Sequence, residues 1–152
     1  RLFEPLQMRD TILWSGPQAS PPGAALSQPL RPPAPLSVGD GGLWTTARDL
    51  LRWNDALLAD TLGITVTLHT PGILDDGTQL DYAWGVRAFQ LEGERVESHG
   101  GSWECATAKL VRLPDRGASF AVLAHDDSIE RMTALSSALQ DGLRGHGITT
   151  RS

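Results

Sequence analysis

The chain has 152 residues, about the size of one domain, and 40% of them are hydrophobic, enough to bury a core and to exclude a disordered polypeptide. Eighteen acidic residues against 13 basic ones give a formal net charge of -5, which argues against the basic footprint of a nucleic-acid binder. Every Leu-rich stretch is broken by Arg, Asp, Gly or Pro, so no run approaches the roughly 20 apolar residues of a membrane-spanning helix; the lone Cys105 excludes an internal disulfide and a multi-Cys zinc site.

The chain opens on Arg1-Leu2-Phe3-Glu4-Pro5-Leu6 with neither an initiator Met nor a signal-like segment, and reads as a piece cut from a longer protein. Its localisation is therefore left unassigned. Residues 12–38 follow as a Pro-rich loop, with Pro17, Pro21, Pro22, Pro29, Pro32, Pro33 and Pro35 removing donors and excluding both a helix and a central strand. A loop of that length is a wall of a site or a passive connector.

Gly39-Asp40-Gly41-Gly42 breaks regular structure, and Thr46-Ala47-Arg48-Asp49 fits a capping box with Thr46 and Asp49 satisfying amides of the first turn. The spacing predicts an amphipathic helix from about Ala47 to Ala59 with Ala47, Leu50, Leu51, Leu57 and Leu58 facing inward. Beyond a weak apolar patch at 62–68 come four short strand-like runs: Trp84 to Leu91, Arg95 to His99, Cys105 to Leu113 and Ala118 to Ala124. Glu92-Gly93-Glu94, Gly100-Gly101 and Pro114-Asp115-Arg116-Gly117 separate them, which predicts an antiparallel meander. A final helix, capped by Asp127 or Ser128 and ended by Gly145, presents Ile129, Met132, Leu135, Leu139 and Leu143 as one stripe to cover the sheet. The fold class expected is α+β.

His99-Gly100-Gly101-Ser102 stands out chemically. Two glycines after a strand His permit close approach of a ligand and leave the amide of Ser102 unobstructed, as an oxyanion-hole donor requires; the competing reading is a glycine bulge beside a surface His. Proximity of Ser102 to His99 in sequence is no evidence for a serine-protease triad, which is a spatial arrangement. His125-Asp126-Asp127 reads as helix capping before a metal pair, so no metal is expected. Cys105 reads as a small buried hydrophobe, and His69 and His146 as surface or turn residues. The tryptophans read as core, with Trp44 and Trp103, beside glycine-rich turns, able to wall a pocket.

Taken in order, these segments resemble the serine β-lactamase and penicillin-binding-protein-like hydrolases, especially the class C-like branch with its esterases and D-aminopeptidases. Leu2-Phe3-Glu4-Pro5-Leu6-Gln7-Met8-Arg9-Asp10-Thr11 is similar to a family segment ending Pro-Leu-Gly-Met-x-x-Thr, with Gln7 in place of the Gly. Gly41-Gly42-Leu43-Trp44-Thr45-Thr46-Ala47-Arg48-Asp49-Leu50 resembles the Gly-Gly-Leu-x-Ser-Thr-Ala-x-Asp-Leu start of a helix. Tyr82-Ala83-Trp84-Gly85 resembles the segment leading into the last hairpins, and His99-Gly100-Gly101-Ser102 the third active-site motif. Leu113-Pro114-Asp115 and the closing helix follow suit; Glu104-Cys105 departs from a Gly-rich continuation.

The resemblance implies a partial β-lactamase-like α/β sandwich, residues 1–152 being the C-terminal portion of a single domain. The family's Ser-x-x-Lys is absent: the only lysine, Lys109, follows Ala106 by three places, and the only tyrosine, Tyr82, is followed two places on by Trp84. The implied activity is acyl-enzyme hydrolysis of an ester, amide or β-lactam, without a cofactor, with the acylating residues upstream. By position, His99 takes the third-motif cation or hydrogen-bonding role, Ser102 supplies one oxyanion amide, and Gly100, Gly101, Trp103 and Trp44 contact substrate. The implied partners are a small-molecule acyl substrate and the missing N-terminal half of the domain, or a second copy of the chain. A non-catalytic interaction module and a degenerate family member are the alternatives, and a self-contained His/Asp hydrolase or metal protein is a minor third.

Overall fold

The computed structural model of the protein describes residues 2–14, 39, 41–103, 106–125 and 128–145. Two short strands, β1 (Ile12–Leu13) and β2 (Leu43–Trp44), pair antiparallel, with Ile12 opposite Trp44. The Trp14 amide donates to the Gly42 carbonyl at 2.8 Å, so this ribbon clamps both ends of the Pro-rich stretch. Residues 12–13, expected as loop, are strand; 15–38 lie outside the described residues.

Helix α1 (Ala47–Leu58) starts at the expected place, with Thr46 Oγ1 accepting from the Asp49 amide at 3.3 Å. The other half of the capping box does not form. The Asp49 carboxylate, fully buried, instead accepts from the Asp10 amide and the Thr11 hydroxyl, both at 2.8 Å, and pairs with Arg52. It ties the N-terminal segment to α1. The inward face also differs from the expected one: Leu50, Asn54, Ala56 and Leu57 are buried, whereas Ala47 and Leu51 are exposed. A one-turn helix, α2 (Thr65–Leu68), follows where the sequence showed only an apolar patch.

The main sheet is the expected antiparallel meander, in the order β3 (Arg87–Leu91), β4 (Glu94–Trp103), β5 (Ala106–Leu113) and β6 (Ala118–Ala124). Two boundaries move. Gly85, at a φ of 76°, turns the chain before β3, so Trp84 precedes the strand and is exposed. Gly100 and Gly101 do not end β4; the strand runs through them to Trp103 because β5 pairs with it along the whole stretch, Gly100 opposite Lys109 and Ser102 opposite Thr107.

Helix α3 (Ile129–Gly145) packs on one face of the sheet and α1 on the other. The core between α3 and the sheet holds Val96, Val111, Leu113 and Ala118, with Phe89, Phe120 and Leu143 packed against them. Ser128 caps α3, its hydroxyl accepting from the Arg131 amide at 3.2 Å; Asp126 and Asp127 lie outside the described residues. Met132 and Ser136 form the buried stripe with Leu143 half-buried, while Ile129, Leu135 and Leu139 are exposed, a departure from the single five-residue stripe. No described helix is long and apolar enough to cross a membrane.

Candidate active site

Alternation along β4 sorts its side chains. Residues directly opposite in an antiparallel pair share a face, so Val96, Ser98, Gly100 and Ser102 turn toward α3 with Lys109 and Val111, and Glu97, His99 and Gly101 turn toward α1 with Arg112 and Leu110. His99 and Ser102 thus lie on opposite faces, and the Ser102 hydroxyl cannot pair with the imidazole as nucleophile and base.

The backbone of β4 is sorted by the hairpin. Glu92 and Gly93 form a two-residue turn with φ of 52° and 81°, which makes Leu91 and Glu94 the hydrogen-bonded pair. Every second residue from Glu94 then turns its amide toward β3, and the others toward β5; the Arg95 amide does donate on that second side, to Asp115 Oδ2 at 3.1 Å. Pairing with β3 stops at Ser98. The amides of Gly100 and Ser102 therefore face an edge that no described strand covers. That is the orientation expected of an oxyanion donor at Ser102.

His99 keeps solvent access and lies beside Tyr82, ring centroids 6.4 Å apart and tilted by 56°. Partial burial, reinforced by the nearby Lys109 ammonium, pushes its imidazole below the ordinary histidine range. It is neutral at pH 7, a hydrogen-bonding group and not a fixed cation.

Gly100 has a specific reason to be glycine. A Cβ there would come within 3.2 Å of Lys109 Cδ and 3.3 Å of the Ala108 carbonyl oxygen, because the lysine chain lies across the strand. A Cβ on Gly101 would meet no described atom within 4 Å, which leaves the His99 face open at that point.

Directly behind His99 sits a buried polar network that the sequence did not reveal. Arg112 Nε donates to Glu97 Oε2 at 3.1 Å, its Nη1 to Asn54 Oδ1 at 3.0 Å, and its Nη2 to His69 Nε2 at 3.0 Å. Glu97 Oε1 pairs with Arg95 and lies 3.2 Å from His69 Nδ1 without hydrogen-bond alignment. Because Arg112 can only donate, Nε2 of His69 is the unprotonated nitrogen. Burial lowers the His69 pKa, Glu97 opposing and Arg112 and Arg95 adding to the shift. Of the expected surface or turn position only the turn holds: His69 ends α2, but it is 6% exposed. The signal was there only in three dimensions, since Arg112 reaches it across 43 positions of sequence.

The remaining candidates separate. Trp44 is half-buried in β2, and no ring contact or hydrogen bond joins it to His99 among the described residues. The backbone of Trp103 continues β4, opposite Ala106. His125 is exposed just after β6, and no group of three metal-ligating side chains occurs among the described residues. Cys105 and His146 lie outside the described residues.

A profile of the Beta-lactamase family matches residues 1–141. The chain belongs to the Beta-lactamase family. Among curated relatives, a D-aminopeptidase of Brucella ovis is 25% identical over 87 residues, half of this chain and 17% of that protein. A D-aminopeptidase of Brucella anthropi is 28% identical over 87 residues, with the same coverage. The octameric penicillin-binding protein homologue from Pyrococcus abyssi superimposes with a TM-score of 0.65 at 20% identity, covering 91% of this chain and 36% of that one. That likeness shows the penicillin-binding-protein-like fold. The matched part of this chain thus spans about a sixth of the length of these curated relatives. The family is one of serine hydrolases, and α+β architecture, meander and closing helix all agree with it.

Proposed function

We infer that residues 1–152 form the C-terminal portion of a single serine-hydrolase domain and supply one wall of its acyl-transfer site. The observation that carries this reading is the open edge of β4, where the Gly100 and Ser102 amides face outward and His99 stands on the adjoining face. A serine nucleophile, supplied by polypeptide outside these 152 residues together with its lysine base, attacks an ester, amide or β-lactam carbonyl. The carbonyl oxygen becomes an oxyanion and receives the Ser102 N–H; the leaving group departs and water releases the acyl group. Neutral His99 offers a hydrogen bond to the nucleophile or the leaving group. Gly100 and Gly101 keep the edge low enough for substrate to lie along it, with Trp44 as an outer wall.

Two variants of the full-length parent test this reading. His99→Ala should lower kcat/KM by about a hundredfold or more, whereas Ser102→Ala should leave it nearly unchanged because only the amide is used. Unchanged kinetics in H99A, or collapse in S102A, would overturn the assignment. Intact mass of the 152-residue chain after a fluorophosphonate should show no adduct, and a stoichiometric adduct on Ser102 would favour a self-contained site. The absence of Ser-x-x-Lys from these residues also supports a second reading, a non-catalytic interaction module; a parent without that motif on an upstream helix would establish it.

A further inference from the structure

On the face of β4 opposite His99, a pocket of about 370 Å³ opens between α3 and strands β3 to β5, within the size range of small-ligand sites. Phe89, Val111, Ile129 and Met132 give it apolar walls. Serine and threonine hydroxyls line it together with Lys109 and Gln140, and no carboxylate among the described residues does. Lys109, threaded over Gly100, reaches only the Ser98 hydroxyl, at 3.4 Å, and no carboxylate lies within ion-pair distance of it among the described residues. Desolvation and the nearby Arg87 lower its pKa, as expected of an ammonium with no anion beside it. Gln140 also lines the pocket, and its side-chain amide nitrogen is buried with no hydrogen-bond partner. Buried donors are almost always paired, and an unpaired one calls for a missing acceptor.

We propose that this pocket binds a small carboxylate with an unbranched apolar chain, the carboxylate accepting from Lys109 and Gln140 and the chain lying against Met132, Ile129 and Phe89. One cation and one neutral donor match a monoanion, and the apolar walls call for a hydrocarbon body that an inorganic anion lacks. The site uses the face of β4 away from His99 and needs no nucleophile. Gly100, Gly101 and Ser102 line it as well as the proposed acyl-transfer edge, but carboxylate binding calls on neither His99 nor a nucleophile, so the two readings fail separately.

Because Lys109 is the only lysine, lysine-specific ¹³C labelling of the 152-residue chain yields a single side-chain signal at the proposed site. Titration with sodium hexanoate, at constant ionic strength against sodium chloride, should move that signal saturably. The Gly100 and Ser137 amides should move with the same midpoint. Hexanol should bind at least about tenfold more weakly, Gln140→Leu should weaken hexanoate binding, and Lys109→Met should weaken it about tenfold or more by the amide readout. Lys109→Arg, which keeps charge and length, should restore binding, so that loss of folding in one variant does not decide the result. Linear shifts without saturation, equal affinity for hexanol, or undiminished binding in a folded K109M protein would overturn the proposal.

Discussion

Glu97 is an acid on a strand whose neighbours would ordinarily be apolar, and it survives there, 2% exposed, because Arg112 and Arg95 both reach it. Breaking such a pair strands a charge without solvent. Glu97→Ala should therefore cost about 3–5 kcal/mol in urea unfolding, and Glu97→Gln less, since it still accepts from Arg112. His69 sets a pH dependence of definite sign. The folded chain binds fewer protons than the unfolded one as pH drops below the ordinary histidine value of about 6.5, so stability is complete above that pH and declines below it. His69→Gln should make the fall of Tm between pH 7.5 and 5 shallower; His99, whose pKa is shifted the same way, contributes to the slope that stays. An equally steep fall in H69Q would show that the burial of His69 does not govern it. Gln7 sits at a φ of 54°, in the left-handed region that favours glycine, the residue the resembling motif has at this place. Gln7→Gly relieves that strain and should raise stability by up to about 1 kcal/mol in the same assay.

Among the elements, α1 carries two attachments of different rank. Thr46 caps only its own helix, and Thr46→Ala should cost about 1 kcal/mol. Asp49 joins α1 to residues 10 and 11; burial pushes its carboxyl up, but the Thr11 hydroxyl, the Asp10 amide and Arg52 together hold it below the usual carboxylate range. Asp49→Ala leaves the Asp10 amide without its acceptor and the Thr11 hydroxyl with only Thr45 Oγ1 as partner, so it should cost more than T46A and speed hydrogen exchange at Thr11 and Ile12 selectively. Exchange unchanged there would show that the β1–β2 ribbon alone retains the segment. At the other end of the sheet, Arg116 and Arg144 converge on Glu94, with Arg144 also pairing with Glu92. The β3–β4 hairpin is thereby held to the last turn of α3, the end at which Leu143 enters the core.

For the molecule as a whole, the apolar residues left outside are informative. Ile129, Leu135 and Leu139 on α3 are 64%, 46% and 38% exposed, and Leu123 on β6, itself a sheet edge among the described strands, is 38% exposed. Exposed apolar side chains of this kind are available to another polypeptide surface. The chain is expected to self-associate in isolation, with a weight-average mass in sedimentation that rises with concentration, and Leu135→Glu with Leu139→Glu should reduce that rise. A strictly monomeric chain at all concentrations would contradict the expectation.

Much of this architecture was written locally. Helix α1 and its Thr46 cap, the meander with its Glu92-Gly93 turn, and α3 with Ser128 before it follow from periodicity, turn chemistry and capping, which act within a few residues. The order of the motifs was equally legible and pointed to the family. Tertiary structure alone decided the rest: that β4 passes through Gly100-Gly101, that Asp49 turns from its own helix to Thr11, that His69 is buried against Arg112, and that Lys109 crosses Gly100 into a pocket beneath α3. Each is a contact between residues distant in sequence or on neighbouring strands. Pairing and burial, which no local pattern encodes, overrode the preferences of the individual residues.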